Sequence, residues 1–498
     1  LQILGYEGYF PPIFLGQWGR VAEDLGMSKS PIKFGTDGWR AVIADQFTYA
    51  TVARVAQASA LVLQRTYPGE GIVIGYDHRF LAEEFAHHAA TCISQLGIPV
   101  IVSSVAAPTP AFSWAAKQLG CHGALVLTAS HNPPQYLGIK VKGGFGGSVG
   151  PEVTQQIEQA VQQGEVTPGQ GRDPHHFDPW PAYLQQLASQ VDVRQILISK
   201  ATMWADAMHG SAAGGMAMIL KKRIIGLRDN RDPLFGGMPP EPLPPQLAGT
   251  MALIAADPSP LKVGVVFDGD GDRIAAIDGT GTFLSPQILI PILIAHLHQR
   301  RGKTGEVVKT VSGTQLIDQL AQHFGLPLTE TPIGFKYIAE RMLTTDVLLG
   351  GEESGGIGYP NHMPERDAML SALFLLEAVA MTGKDLSQLY AEIQAEVGFR
   401  SVYLRRDLHL QDPQQQQQVL ARLRDHPPGQ IVDRAVVGHD QRDGHKFWLQ
   451  GQGWLMVRGS GTEPVLRLYC EAEDLDQVKA LLDWAETWVG SSLSSPSR

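Results

Sequence analysis

Short runs of aliphatic and β-branched residues alternate along the chain with longer stretches whose apolar positions recur at helical spacing. Gly71–Gly75 (GIVIG), Val100–Ser104 and Gly123–Leu127 (GALVL) are continuous apolar runs bounded by turn residues, which predicts strands buried on both faces. Ala82–Leu96 separates the first two and carries the helical period. The pattern resumes downstream, with strands predicted at Val263–Phe267 and Glu306–Val311 and helices at Pro286–Arg300 and Asp367–Met381. Strand–helix alternation of this kind predicts α/β layers built on mixed or parallel sheets. No sequence repeat recurs at a fixed period.

Breaks in the pattern suggest boundaries. Gly164–Pro179, rich in Gly, Pro and His, reads as a linker, and the Pro-rich Asp229–Gln246 as a surface excursion. The Gln414–Gln418 run, placed between Pro413 and an apolar helical pattern, reads as a solvated helix start. Ser491–Arg498 reads as a disordered tail. Residues 1–26 have no clean period. Met27 is a candidate natural start, and an N-terminal helix packed on the first domain is an equal alternative.

At 498 residues the chain is long enough for three or four domains, taking roughly 150 residues for each. Lys plus Arg number 40 against 50 Asp plus Glu, for a net charge of −10, which argues against broad binding to nucleic acid or anionic membrane. An anionic ligand must then be held by a few local cations. The three cysteines, Cys92, Cys121 and Cys470, form no CxxC pair and fit a reducing compartment. The longest apolar stretches, Leu284–Leu297 and Met369–Met381, are interrupted by Pro286, Gln287, Pro291 and Glu377, and fall short of the roughly 18 uncharged residues of a membrane span. No basic start precedes Glu7, Pro11 and Pro12, so no secretory signal is expected, and the chain reads as cytoplasmic.

Phe267-Asp268-Gly269-Asp270-Gly271-Asp272-Arg273 is the strongest local signal. Three carboxylates at alternate positions repel one another, and the intervening glycines let the loop curl until all three face one centre. A hard divalent cation such as Mg²⁺, Mn²⁺ or Ca²⁺ offsets that repulsion. An EF-hand is excluded, because its sixth and twelfth positions hold Arg273 and Gly279. An acidic hairpin turn is the plainer alternative.

Thr128-Ala129-Ser130-His131-Asn132-Pro133-Pro134 follows a predicted buried strand, where α/β proteins place a nucleophile or a phosphate contact; a Ser/Asn turn closed by prolines is the alternative. Lys140 and Lys142 lie just downstream. Gly146-Gly147-Ser148-Val149-Gly150 matches GxSxG but lacks the strand that precedes a nucleophile elbow, and reads as a flexible loop. Arg458-Gly459-Ser460-Gly461-Thr462, with Arg467 beyond, offers converging backbone N–H groups, hydroxyls and guanidinium forks, which suits a phosphate; a glycine-rich hairpin is the alternative. Gly351-Glu352-Glu353-Ser354-Gly355-Gly356 offers carboxylate and hydroxyl contacts to sugar hydroxyls. Gly334-Phe335-Lys336 and Glu365-Arg366-Asp367 are weaker signals, and lone histidines such as His209 read as structural.

Six segments in order, FGTDGWR (Phe34–Arg40), GYDHR (Gly75–Arg79), TASHNPP (Thr128–Pro134), DGDGDR (Asp268–Arg273), GEESGG (Gly351–Gly356) and RGSGTEP (Arg458–Pro464), together resemble the α-D-phosphohexomutase family of phosphoglucomutases and phosphomannomutases. The resemblance spans Lys33 to about Arg467. It implies four domains around a central cleft, three similar mixed α/β domains and a smaller C-terminal α+β domain. The corresponding division is an extension over 1–26, domain I over 27–176 with the serine loop, domain II over 177–284 with the metal loop, domain III over 285–398 with the sugar loop, domain IV over 399–490 with the phosphate loop, and a tail over 491–498.

Residue by residue, the resemblance implies that Ser130 is the phosphorylated serine, and that Asp268, Asp270 and Asp272 hold one Mg²⁺ together with an oxygen on Ser130. Glu352 and Ser354 resemble the sugar contacts, and Gly334 and Lys336 a loop that sets substrate orientation. Arg458, Ser460, Gly461 and Thr462, with Arg467 and Arg273, resemble substrate-phosphate contacts. Arg40, His131 and Lys140 match catalytic positions near the reacting hydroxyl, with Lys140 the candidate base if nearby cations lower its pKa. The implied reaction is transfer between hexose 1-phosphate and hexose 6-phosphate, glucose phosphate first and mannose phosphate second, with hexose 1,6-bisphosphate as intermediate and activator. Small sugar phosphates are the expected partners, and a monomer or weak dimer the expected state.

Departures from the family pattern are Ala41 after Arg40, Leu137 before Gly138, and Glu352-Glu353-Ser354-Gly355-Gly356, which lacks the Met or Gln and the His of other members and weighs against a phosphoglucosamine mutase. A metal-dependent phosphatase would use the same serine and aspartates but needs no second phosphate site. A non-catalytic sugar-phosphate sensor would not need Ser130 and all three aspartates.

Overall fold

The three apolar runs read as buried strands lie side by side in the first of four sheets. The computed structural model describes residues 32–35, 37–164, 169–461 and 464–494. The segment 1–26, Met27 and Thr462 lie outside the described residues. From Phe34 onward the described chain forms one compact unit.

The first sheet contains β1 (Trp39–Val42), β2 (Ile72–Tyr76), β3 (Val100–Ser103), β4 (Gly123–Leu127), β5 (Tyr136–Gly143) and β6 (His175–Phe177), in the order β1-β5-β4-β2-β3-β6. The second contains β7 (Thr202–Asp206), β8 (Ile224–Leu227), β9 (Lys262–Phe267), β10 (Ile274–Ile277) and β11 (Phe283–Leu284), ordered β11-β10-β9-β7-β8. The third contains β12 (Glu306–Thr310), β13 (Leu328–Thr331), β14 (Val347–Gly351), β15 (Ile357–Tyr359) and β16 (Met363–Arg366), ordered β13-β12-β14-β15-β16. The fourth is wholly antiparallel: β17 (Val402–His409), β18 (Gln430–Ile431), β19 (Arg434–Asp440), β20 (His445–Leu449), β21 (Gly453–Gly459) and β22 (Val465–Ala472), ordered β17-β22-β21-β20-β19-β18. Three mixed α/β layers and a smaller antiparallel one therefore follow one another along the chain.

The first three sheets share one construction. A parallel pair, β2–β4, β7–β9 or β12–β14, is continued by an antiparallel partner, β5, β10 or β15. The loop between the last parallel strand and its antiparallel neighbour holds Ser130 in the first sheet, Asp268–Asp272 in the second and Glu352–Ser354 in the third. These loops sit at strand carboxyl ends, where open α/β sheets present their chemistry. In the fourth sheet the β21–β22 hairpin carries Ser460 and Gly461.

Local sequence explains where the helices begin and end. Thr48 and Thr51 form a capping box that starts the helix Tyr49–Thr66. Asp367 caps Ala368–Thr382, and Gly383 ends it in the left-handed region. One apolar cluster runs through the first three sheets and includes Phe112, Met203, Phe267, Leu293 and Phe374. A separate cluster around Leu423, Phe447, Leu466 and Leu482 belongs to the fourth. Truncating one of the buried aromatic rings to alanine costs about 3–5 kcal/mol.

Four expectations need correction. His175–Phe177, in the stretch read as a linker, pairs in parallel with β3, so a boundary after residue 176 falls inside a strand of the first sheet. The Pro-rich stretch read as a surface excursion opens the helix Pro244–Ala256, and Pro240 O accepts from Gly269 N in the metal loop. The tail read as disordered from 491 is helical to Ser494, as the end of Leu475–Ser494. Gly146–Gly150 is no free loop: Ser148 is buried and bridges to Lys142 in β5. All three cysteines are buried and free, and no helix among the described residues is long and apolar enough to cross a membrane.

Candidate active site

Ser130 stands at the mouth of β4 with φ 52, a left-handed conformation that costs a β-substituted residue about 1–3 kcal/mol. The surrounding contacts hold it there. Its N–H donates to Thr128 Oγ1 at 2.9 Å, and Thr128 Oγ1 donates to Asp77 Oδ2 at 2.6 Å. The fully buried Arg79 donates to the carbonyls of Ser130 and Asn132 at 2.6 Å and of Pro133 and Tyr136 at 3.0 Å. Arg79 thus staples the whole turn. Burial raises the Asp77 carboxyl to about 6, against the pull of Arg79 and Thr128.

The serine meets the metal loop directly. Ser130 Oγ donates to Asp268 Oδ2 at 2.8 Å and lies 3.3 Å from His131 Nδ1. A Cβ on Gly269 would stand 2.5 Å from Ser130 O, so only glycine allows this approach. Asp268, Asp270 and Asp272 are buried, with ligand oxygens within 4.8 Å of one another. Asp268 Oδ1 accepts from the N–H groups of Asp272 and Arg273 at 3.1 Å, and Asp270 Oδ2 from Thr109 Oγ1. Asp270 Oδ1 and Asp272 Oδ1 have no hydrogen-bond partner among the described residues. Two orphaned carboxylate oxygens in an all-oxygen donor set fit a hard divalent cation. Burial and the other two aspartates push the Asp268 carboxyl well above its usual range.

Lys140 departs from the role expected of it. Its Nζ lies 2.5 Å from Asp272, 2.7 Å from Asp37 and 2.8 Å from Asp270. Burial opposes its charge, but Asp270, Asp272 and Asp37 outweigh burial and hold the ammonium above its ordinary pKa. The neighbouring carboxylates thus oppose the expected lowering by cations, and Lys140 stands as a buried counter-ion to them. His131 moves the other way: burial, then Arg273, Arg40 and Lys140, hold it well below its usual pKa, so it is neutral at neutral pH. Arg40 donates to Asn132 Oδ1 at 2.9 Å, beside the serine turn. Arg273 Nε is buried without a hydrogen-bond partner among the described residues.

The third sheet supplies Glu352, whose Oε1 accepts from Gly334 N at 2.9 Å. Burial raises its carboxyl to about 7 despite the nearby Arg366. Glu353 accepts from Ser312 Oγ at 2.8 Å, and Ser354 is half-buried in the same turn. Lys336 lies over the Tyr337 ring and lines, with Asp37 and Ser148, a small crevice. In the fourth sheet Arg458 Nε donates to Asp443 Oδ1 at 2.7 Å, and Arg467 is its direct cross-strand partner. Ser460 N donates to Val465 O, closing the hairpin, and Gly461 is exposed.

Sequence reasoning named most of the residues that tie these loops together but did not give them that role. Asp37 engages Lys140, Lys142 and Arg366, and Arg366 NH2 also lies 2.7 Å from Asp272. Lys142 Nζ lies 2.6 Å from Glu365 Oε2, which also accepts from Ser148 Oγ at 2.7 Å. Asp37 and Arg79 lie inside the quoted FGTDGWR and GYDHR segments, so the signal was present without a role attached. Thr109 and Asp443 carry no sequence signal.

The sequence patterns that define the domains of phosphohexomutases match throughout. Those of phosphoglucomutase/phosphomannomutase match as alpha/beta/alpha domain I over residues 31–167, domain II over 181–281, domain III over 285–397 and the C-terminal domain over 411–484. The chain belongs to this family of mutases. A Thermus thermophilus structure with a provisional phosphomannomutase name is 35% identical, with a TM-score of 0.83 over 93% of this chain and 99% of that one. A phosphoglucomutase/phosphomannomutase of Thermococcus kodakarensis is 27% identical over 90% of this chain and 96% of its own length. A phosphoglucosamine mutase of Halorhodospira halophila is 29% identical over 93% and 97%.

Proposed function

We propose that the protein interconverts hexose 1-phosphate and hexose 6-phosphate through a phosphorylated Ser130 and a hexose 1,6-bisphosphate, with glucose phosphate as the preferred substrate. The observation that carries this reading is Ser130 Oγ, held in a left-handed turn and hydrogen-bonded at 2.8 Å to a loop of three buried aspartates. Asp268, Asp270 and Asp272 would hold Mg²⁺, which when bound neutralises charge on the transferring phosphoryl group.

The chain's own residues do the rest. Arg79 keeps Ser130 Oγ aimed at the aspartate loop. A sugar hydroxyl attacks the phosphorus on Ser130, the P–Oγ bond breaks, and the hydroxyl proton passes to a base. His131, neutral and 3.3 Å from Ser130 Oγ, is within reach of that proton, and burial with the neighbouring cations makes it a weak base that passes the proton on readily. Arg40 and Arg273 offset the phosphoryl charge, and Glu352 and Ser354 hold sugar hydroxyls. Arg458 and Arg467 grip the phosphate that is not reacting. After the bisphosphate turns end for end, its other phosphate returns to Ser130.

Glucosamine phosphate is the competing substrate, favoured by the name of the 29% identical relative. The Glu352-Glu353-Ser354-Gly355-Gly356 loop weighs against it. Coupled assays on the 1-phosphates of glucose, mannose and glucosamine, each with a trace of the matching bisphosphate, test the reading. Turnover highest on glucose 1-phosphate is expected. Higher turnover on either of the others reassigns the substrate, and phosphate release without isomerisation replaces the mutase with a phosphatase.

A further inference from the structure

We propose that Asp443 is a positioning residue that couples the grip on the distal phosphate to the loop that holds the sugar. The inference rests on the reading of Arg458 as a phosphate contact.

Asp443 lies in the turn joining β19 to β20. The turn is pressed against β21: at Gly444, φ 88, a Cβ would stand 2.6 Å from Val457 O. From there the Asp443 carboxylate reaches two different sheets. Oδ1 accepts from Arg458 Nε at 2.7 Å in the fourth, and Oδ2 accepts from Ile333 N at 2.8 Å in the third. Ile333 precedes Gly334, whose N–H holds Glu352 Oε1 at 2.9 Å and whose φ of 132 only glycine tolerates. One carboxylate therefore sits between the guanidinium that meets the phosphate and the backbone turn that orients the sugar contact.

The chemistry of each contact matters. Arginine has five N–H donors in a rigid plane. Engaging Nε fixes that plane and leaves the terminal amino groups as a fork for phosphate. Burial disfavours the Arg458 charge, but Asp443 outweighs it and raises the guanidinium pKa further. On the other side, Ile333 N is a main-chain donor, so its partner sets the path of the loop. Other links between these sheets, among them Arg442 of the same turn to Glu330 O at 3.1 Å, Lys446 Nζ to Val311 O at 2.6 Å and Glu471 to Gln315 N at 2.8 Å, touch neither Arg458 nor the 333–334 turn. A substrate that is bound in two orientations needs its phosphate and sugar contacts kept at one spacing in both. Asp443 sets that spacing, so its loss affects kcat as well as KM.

The test is a double-substitution cycle with kcat and KM read separately, on the fastest of the three hexose 1-phosphates with saturating bisphosphate. Arg458→Ala alone should raise KM. Asp443→Ala should raise KM and lower kcat about tenfold, in line with the sensitivity of rate to small displacements. In the Arg458→Ala background, Asp443→Ala should lower kcat less than the tenfold seen in the parent: the residual loss reports the Ile333 contact, and the shortfall from tenfold is the coupling. An equal tenfold loss in both backgrounds, with KM raised by Arg458→Ala, overturns the coupling and leaves the phosphate grip standing, and no further loss at all overturns the link to the sugar loop. Unchanged KM in Arg458→Ala alone overturns the grip and the coupling with it. Should Asp443→Ala fail to fold, Asp443→Asn carries the same comparison: its amide can accept from only one of the two donors, and an intermediate kcat is expected, whereas parental kcat overturns the proposal.

Discussion

Arg458 and Arg467 face each other as direct partners across β21 and β22. Like charges in that register are unfavourable unless something of opposite sign lies between them. Asp443 balances Arg458, while Arg467 Nε is buried with no hydrogen-bond partner among the described residues. Inorganic phosphate should therefore raise the melting temperature, by about 2.7 kcal/mol of added stability at a hundred times its Kd. Arg467→Gln should melt no lower than the parent without phosphate and lose most of the phosphate-induced rise. Scanning fluorimetry with and without phosphate reads both, and an undiminished rise in the variant excludes Arg467 from the site.

Ser130 and Ser148 separate chemistry from architecture. Intact mass should show a phosphorylated fraction in the parent that disappears in Ser130→Ala together with nearly all turnover. Ser148→Ala should keep the modification but lose about 1–3 kcal/mol of stability, because Ser148 Oγ donates to Glu365 and accepts from Lys142 in a buried network. Loss of phosphorylation in Ser148→Ala alone would exchange the two roles.

Removal of divalent metal tests the aspartate loop. With chelator, activity should fall to background and the melting temperature should drop, since Lys140 and Arg366 offset only part of the charge of the three buried carboxylates and Asp270 Oδ1 and Asp272 Oδ1 lose their partner. Asp268→Asn should narrow that thermal gap between metal-bound and metal-free protein, and it should lose activity. Chelator-insensitive turnover of the parent would refute a metal-dependent reaction.

Glu352 predicts a pH dependence. Its folded-state carboxyl is raised from the usual 4.5 to about 7, chiefly by burial. Between those values the folded protein keeps a proton that the unfolded chain releases, so this group lowers stability as pH rises from about 4.5 to 7. The full cost, about 3 kcal/mol, is present above pH 7. Glu352→Gln can still accept from Gly334 N and should outlast the parent in urea at pH 8 but not at pH 4.5. An equal difference at both pH values contradicts the shift.

Much of this was legible in the sequence, and for a physical reason. The fully apolar runs had to be buried strands, and Ile72–Tyr76, Gly123–Leu127 and Lys262–Phe267 fall within a residue of the expected limits. The loops after them carry residue types that are costly to bury without a partner, which marked Ser130 and Asp268–Asp272. What escaped depended on long-range contact. His175–Phe177 is a strand because β3 offers an edge, since its own residues carry no apolar alternation. The helix Pro244–Ala256 was hidden because prolines tolerated in a first turn look like a loop. The ion pairs of Lys140 were hidden because the sequence shows lysines and arginines near one another but not that Asp270, Asp272 and Asp37 fold around this one.

The buried charges shared by the first three sheets bear on how the chain assembles. Lys140 and Lys142 belong to the first sheet, but they find their carboxylates in Asp270 and Asp272 of the second and Glu365 of the third as well as in Asp37. Arg366 of the third reaches back to Asp37 and Asp272. A sheet folded alone would lose these partners and expose both the ions and the shared apolar cluster to water. Intermediates with one sheet docked and another loose are thereby disfavoured, and the three should melt together as a single cooperative block in calorimetry. A fragment cut to any one of them should fold poorly, because the main apolar cluster is shared by all three.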